Sequence, residues 1–310
     1  MQITITDFWQ LIAGLGLFLY GMFHLEDALK NIEGRSFKLF LKKHTQNKIQ
    51  AILSGTLITG LLQSSSIVNL MVLSFVGAGM LSMRNALGVA LGANVGGTFN
   101  SWLVAWLGFK MDISAATMPI LAIAGIALAV INKKRAWYQV AKFCMGFGLI
   151  FFGLNLMKST MESFIQTFDF TPYLHLPRIV FVLLGFIITA LIQTSAATVV
   201  LVLSALYAQI LPIETAVAVV LGAELGTTIK ILIGSIGGIA SKKRVAFGNI
   251  LFNIVTSCLG FIFLIPIIEL LMNGLGIKDP IFCFGRFSNF HQCAWHCLIL
   301  FFSRCIWRFP

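Results

Sequence analysis

The sequence predicts an all-α, polytopic membrane protein made of two inverted repeats, each containing a re-entrant helical hairpin. Three observations carry this expectation. The chain is too apolar for water, a 44-residue block occurs twice at one fixed offset, and the basic residues fall in short clusters between apolar segments.

Of 310 residues, 58% are hydrophobic and 11% charged, and the mean hydropathy is +0.92. Soluble domains carry roughly 25% charged residues, so a lipid bilayer is the expected solvent for most of this chain. The stretches Phe8 to Leu29, Ala86 to Leu107, Ile113 to Ile131, Val140 to Met157 and Val245 to Leu271 are apolar. Each approaches or exceeds the ~20 residues that cross a ~30 Å hydrocarbon core. The first is read as a membrane span rather than a signal peptide, because Met1 to Asp7 holds no basic residue and no small-residue cleavage site follows. A net charge of +11 invites a nucleic-acid reading. The basic residues, however, sit at Lys30 to Lys48, Lys133 to Arg135 and Lys242 to Arg244, which is how cytoplasmic loops look under the positive-inside rule. No nucleic-acid partner is expected.

Residues 55–98 align with residues 185–228 without a gap, and 18 of the 44 pairs are identical. Apolar composition would reproduce leucines. It would not reproduce Gly55, Thr59, Gln63, Ser65, Ser74, Gly92, Gly96 and Thr98 as Gly185, Thr189, Gln193, Ser195, Ser204, Gly222, Gly226 and Thr228. Upstream, Gly14-Leu15-Gly16-Leu17 through Gly21 resembles Gly146-Phe147-Gly148-Leu149 through Gly153. The chain is a duplication, with 1–132 as the first repeat and 133–280 as the second.

If all three basic clusters face the cytoplasm, a single crossing by Ile49–Met80 strands Lys133 to Arg135 on the wrong side. A hairpin that re-enters and returns removes the conflict, and the same count makes Ile179–Ile210 a hairpin from the opposite side. Inverted repeats with polar residues at broken helices near the midplane are transporter architecture.

Gln63-Ser64-Ser65-Ser66 and Gln193-Thr194-Ser195-Ala196 interrupt apolar stretches. Small polar residues also serve close helix packing, but a duplicated string points to a ligand. At hairpin tips, the two strings start half-helices whose N–H groups converge with hydroxyls and amides on a site suited to a tetrahedral oxyanion. Gly92-Ala93-Asn94-Val95-Gly96-Gly97-Thr98 and Gly222-Ala223-Glu224-Leu225-Gly226-Thr227-Thr228 form the second pair. Here the glycines are expected to let the helix unwind and expose carbonyls. Asn94, Thr98, Glu224, Thr227 and Thr228 add the oxygen ligands a hard monovalent cation such as sodium wants. Glu224 is an intramembrane carboxylate and a functional candidate for that reason; the alternative is an ion pair with Lys230.

The twin Gln-Ser/Thr-Ser strings, each followed by a Gly-Ala-Asn-x-Gly type motif, resemble the type II sodium–phosphate cotransporter family over roughly residues 8 to 275. The resemblance implies sodium-coupled symport of inorganic phosphate by alternating access. Phosphate is then cradled by Gln63, Ser64, Ser65, Ser66, Gln193, Thr194 and Ser195. Two positions depart from the duplicated pattern: Ala196 stands opposite Ser66, and Glu224 opposite Asn94. The second opens proton coupling as an alternative to sodium. The resemblance places the chain in the bacterial inner membrane as a transporter rather than an enzyme, with no cofactor beyond sodium as coupling ion. Export of phosphate, transport of another oxyanion, and an ion channel are the alternatives.

From Ile281 to the end the texture changes. Four of the six cysteines (Cys283, Cys293, Cys297, Cys305) crowd there with His291, His296, Trp295 and Trp307. His291, Cys293, His296 and Cys297 superficially suggest zinc. A one-base shift of reading frame after about Cys283 permits a string resembling Ala246–Asn253 and the last helix of the family. Residues 281–310 are therefore read as an atypical tail, a frameshifted last helix, with a divergent helix and metal binding as alternatives.

Overall fold

The computed structural model describes residues 5–45, 47–109, 113–167, 171–277 and 279–288, and every element among them is helical. In chain order these are α1 (Ile5–Lys43), α2 (Lys48–Leu62), α3 (Ser65–Gly77), α4 (Met83–Leu103, continued by a π-helical turn Val104–Gly108) and α5 (Ser114–Val130). They are followed by α6 (Ala136–Thr167), α7 (Thr171–Leu174), α8 (Arg178–Ile192), α9 (Ser195–Tyr207), α10 (Ile213–Gly226) and α11 (Thr228–Ser235). The last are α12 (Ala240–Ile262), α13 (Leu264–Glu269, with a π-helical turn Leu270–Gly274) and α14 (residues 280–288). Four helical stretches are long and apolar enough to cross a membrane: Thr6–Ile32, Ala136–Phe164, Ile213–Ser235 and Ala240–Ile262. The chain is an all-helical membrane protein.

The duplicated block has duplicated boundaries. α2 and α8 start at Lys48 and Arg178, α3 and α9 at Ser65 and Ser195, α4 and α10 at Met83 and Ile213. Each pair differs by the same 130 positions as the sequence block. The helix breaks are also duplicated, with Gln63 at φ 54° and Gln193 at φ 61°. α2 and α3 have 15 and 13 residues, about 22 and 20 Å of helix, so neither alone spans a ~30 Å hydrocarbon core.

Glycine sets the packing. A Cβ at Gly92 would lie 1.9 Å from the Ile52 carbonyl oxygen, and one at Gly96 would lie 2.5 Å from that of Thr56. In the second copy, Gly222 meets Val182 O at 1.9 Å and Gly226 meets Phe186 O at 2.8 Å. Contact numbers rise together on both helices, so α2 runs parallel to α4, and α8 to α10. The intervening α3 and α9 must therefore carry the chain back to the end from which it came. This is small-xxx-small packing, in which backbones approach because no side chain separates them. It also corrects the expectation of unwound helix at Gly92–Thr98. α4 is continuous there, because those glycines are used for helix contact. In the second copy the helix is interrupted only at Thr227.

α1 and α6 pack antiparallel by the same device. Gly21 and Gly146 each approach the other's carbonyl, at 2.7 and 2.6 Å from the added Cβ, and Gly14 and Gly153 do likewise at 2.9 and 2.5 Å. Asp27 and Lys142 close this contact as an ion pair. The basic stretch that begins at Lys30 and the Lys133–Arg135 loop thus lie at one end of the bundle. Lys242 joins that end, its Cδ lying 3.9 Å from a Cβ at Gly77, the last residue of α3. Leu41 near the end of α1 shares a buried cluster with Ala51, Val76 and Leu81. Leu11 near its start packs instead on Phe164, Ala205, Ala208 and Ile210. The α2–α3 pair opens toward one end of α1 and the α8–α9 pair toward the other.

The outer faces are apolar. Leu53, Leu57 and Leu61 form an exposed stripe on α2, and Leu183, Ile187 and Leu191 do so on α8, surface that lipid rather than water suits. The expected continuous span Val245 to Leu271 divides instead at Phe263. Pro266 lacks an N–H and its ring crowds the carbonyl four residues back, at Ile262. Of the tail, α14 packs into the main core through Cys283, Phe284 and Phe287. The candidate zinc residues and the frameshifted string past Ser288 lie outside the described residues.

One buried hydrogen bond of the second copy is missing from the first. Thr189 and Thr198 hydroxyls meet at 2.7 Å and tie α8 to α9. In the first copy Thr59 is fully buried and its hydroxyl has no partner, because Val68 stands where Thr198 would be. Val68→Thr is expected to stabilise the protein by ~1 kcal/mol, read as a raised thermal midpoint in detergent. A Thr59→Ala change added to it should abolish the gain, and additive effects in that double-mutant cycle would disprove the contact.

Candidate functional site

The two helix breaks converge. A cavity of about 50 Å³ is lined by Ser65 and Ser195, the first residues of α3 and α9, together with Asn94, Thr98, Glu224 and Thr227 from α4 and α10. Residues 130 positions apart in sequence therefore share one small space. Its size suits a few waters or one small tetrahedral anion.

The tips are strained in the same way. Gln63 and Gln193 end their helices in left-handed backbone, which costs a non-glycine residue on the order of 1–2 kcal/mol. Elsewhere the duplication handles such a turn differently: Gly79 and Gln209 both have positive φ, so glycine serves there in one copy. Both tips nevertheless keep glutamine. Gln63 Nε2 donates to the Gly60 carbonyl, while its Oε1 is buried without a hydrogen bond; Gln193 is exposed. Ser64 and Thr194 hold the N-cap positions in extended backbone, and neither side chain caps its helix. The first-turn N–H groups of α3 and α9 are thus left uncapped by these hydroxyls, as an anion site requires.

The rest of the lining is rich in oxygen. Thr98 Oγ1 donates to Val95 O at 2.8 Å and Thr227 Oγ1 to Glu224 O at 2.7 Å. Having spent their protons on backbone carbonyls, both hydroxyls present only lone pairs outward, which suits a cation. Asn94 and Glu224 add an amide and a carboxylate to the same lining. The lining thus combines helix-start serines with oxygen acceptors from α4 and α10.

Six of the sequence candidates meet in this space and six do not. Gln63, Ser66, Gln193 and Thr194 flank the tips. Ser64 lies near Glu26 of α1, a carboxylate also within electrostatic reach of Lys30 and Lys230. Thr228 donates to Leu225 O at 2.6 Å outside the lining. The structure adds Ser101, Asn253 and Ser288 to the polar wall. Asn253 was detectable as a polar side chain inside an apolar span. Ser101 and Ser288 carried no signal beyond being serines.

YqeW of Bacillus subtilis (strain 168), a protein without an assigned function, is 29% identical over 241 residues, 77% of this chain and 76% of its own. YjbB of Escherichia coli (strain K12), whose name assigns it provisionally to inorganic phosphate export, is 24% identical over 291 residues, 91% of this chain. Its counterpart in Salmonella typhimurium (strain LT2) is 25% identical over 292 residues. The chain spans about half the length of these YjbB relatives, 52% in each case. No solved structure gives a significant match. The Na+/Pi-cotransporter family matches residues 17–159 and 174–278, both helix pairs and the whole α4–α10 wall included, and the chain belongs to that family of membrane transporters.

Proposed function

We propose that the chain carries inorganic phosphate across the membrane with sodium as the coupling ion, by alternating access of two inverted repeats around the Ser65–Ser195 cavity. One observation carries this reading: the two duplicated helix starts at Ser65 and Ser195 meet at one cavity whose lining also holds Asn94, Thr98, Glu224 and Thr227. The uncapped first turns of α3 and α9 and the Ser65 and Ser195 hydroxyls suit phosphate oxygens. Thr98, Thr227, Asn94 and Glu224 suit sodium. In a bilayer, α2–α3 and α8–α9 become re-entrant hairpins, since each helix is too short to span and each pair returns to its own side. The three basic clusters at one bundle end mark that end as cytoplasmic, which fits a bacterial inner membrane. The names of the YjbB relatives favour a second reading, net export on the same scaffold.

The deciding experiment is radiolabelled phosphate flux in proteoliposomes, with the sodium gradient imposed in either direction or absent. Uptake that follows an inward sodium gradient is the expected result. Flux indifferent to sodium would remove the coupling, and efflux alone would favour export.

Ser65→Ala and Ser195→Ala should each weaken apparent phosphate affinity by roughly ten- to 150-fold, the ~1.5–3 kcal/mol of one hydrogen bond to a charged ligand. Stability should hardly change, because each substitution leaves only a small void. Wild-type affinity in both would mean the anion sits elsewhere.

Glu224→Gln should alter sodium dependence or charge movement while membrane insertion stays normal. Unchanged sodium and pH dependence would reduce Glu224 to a structural residue.

Gln63→Gly and Gln193→Gly should relieve left-handed strain, so that thermal stability holds or rises by ~1 kcal/mol while flux falls. A loss of stability would show that the glutamine side chains serve the fold.

A further inference from the structure

Four asparagines form one chain of hydrogen bonds that ends at the cavity. Asn94 Nδ2 donates to Asn253 Oδ1 at 3.4 Å, Asn253 Nδ2 to Asn249 Oδ1 at 2.6 Å, and Asn249 Nδ2 to Asn69 Oδ1 at 3.4 Å. The four come from α4, α12 and α3, and Asn69, Asn249 and Asn253 are buried. Buried amides in an apolar bundle are costly unless paired, so the run is a built feature.

Its direction is fixed by one atom. Asn253 Nδ2 also lies 3.0 Å from the backbone carbonyl of Asn249. A backbone carbonyl only accepts, so the Asn253 end facing it must be the NH₂ group. Asn253 Oδ1 then faces Asn94, which must answer with its own NH₂. In the other direction, Asn249 receives on Oδ1 and so gives its NH₂ to Asn69. No amide in the run is able to flip without setting donor against donor or acceptor against acceptor. Asn94 lines the cavity with one N–H of its amide engaged by Asn253, so the acceptor it has for the cavity is Oδ1.

We propose that Asn253, anchored on the Asn249 carbonyl, is a positioning residue that fixes Asn94 with its oxygen toward the cavity. The wall shared with Glu224 thereby accepts a cation rather than donating to an anion. Asn249 and Asn69 extend the run but do not set its polarity: the backbone oxygen of Asn249 survives any substitution there, and Asn69 is the terminal acceptor. This inference deepens the sodium-coupled reading and rests on it. The second copy has Val199 at the position of Asn69, so the run, which joins Asn69 and Asn94 of the first half to Asn249 and Asn253 of the second, is not itself duplicated.

The test is sodium-dependent thermal protection of the purified full chain in detergent, titrated with sodium chloride against choline chloride, together with sodium half-activation of phosphate flux. Wild type should be protected. Asn253→Leu should weaken the sodium response by roughly tenfold, the size of one misplaced polar ligand. Asn249→Leu and Asn69→Leu should keep the sodium response within about two-fold even where they lower the midpoint itself, because the pinning carbonyl remains. Asn253→Ser answers the same question if the leucine variant does not fold. A wild-type sodium response in both Asn253 variants overturns the proposal, and so does an equal loss in all three positions, the mark of a purely structural network. A wild type that sodium does not protect or activate overturns the coupling reading and the cation-facing role of Asn94 together.

Discussion

The contact on which the rest depends is the approach of α2 to α4 and of α8 to α10, backbone against backbone. In lipid, apolar side chains gain nothing by leaving one another for the solvent, so helices associate through close fit and short polar contacts. Gly92 under the Ile52 carbonyl and Gly222 under that of Val182 provide the fit. Thr56 Oγ1 adds a hydrogen bond across the same seam to Gly92 O at 3.0 Å. Because these seams are parallel, each short helix is held alongside a long one and its terminus is fixed in depth. That depth brings Ser65 within 3.7 Å of a Cβ at Gly97 and sets the serine tips facing Asn94, Thr98, Glu224 and Thr227. The cavity is thus located by glycines that do not all touch it.

Much of this was legible in the sequence, for definite reasons. Membrane class follows from composition, and the duplicated element boundaries follow from the fixed offset, because identical Gln, Ser, Thr and Gly positions impose identical breaks. The helix starts at Ser65 and Ser195 were readable as polar interruptions of apolar runs. Other features were not readable. A Gly-Ala-Asn-x-Gly run has the same letters whether its glycines unwind a helix or admit a neighbour's backbone, and only the partner at Ile52 or Val182 decides. The division at Phe263 was signalled by Pro266 but masked by the surrounding hydropathy. Asn69, Asn249 and Asn253 each look like isolated amides, since the distance between Asn69 and Asn249 is closed only by the fold.

On the phosphate and sodium reading, the cavity would hold opposite charges within one small space of an apolar bundle. Hydroxyl and N–H donors come from helix starts, where the backbone leaves them uncapped. Acceptors come from mid-helix positions, where threonine protons are already committed to the preceding turn. Secondary structure would therefore sort the signs: on that reading each ligand would meet groups whose complementary half is engaged elsewhere. Rearrangement cost on binding is small under those conditions, since the dipoles are oriented before the ligand arrives.

The unequal threonines have an energetic corollary. On an alternating-access reading, a perfect inverted duplicate is its own image when the two halves exchange conformations, so its inward- and outward-facing forms have the same free energy. Each difference between the copies lifts that degeneracy. The Thr189–Thr198 bond, matched across the duplication only by a buried Thr59 hydroxyl without a partner, is one such difference, and it would bias the two forms if α8 and α9 separate in one of them. A bias of ~1 kcal/mol from one such bond shifts the unloaded carrier about five-fold toward one face. Divergence between the halves, rather than the fold they share, then determines on which side of the membrane the empty site waits.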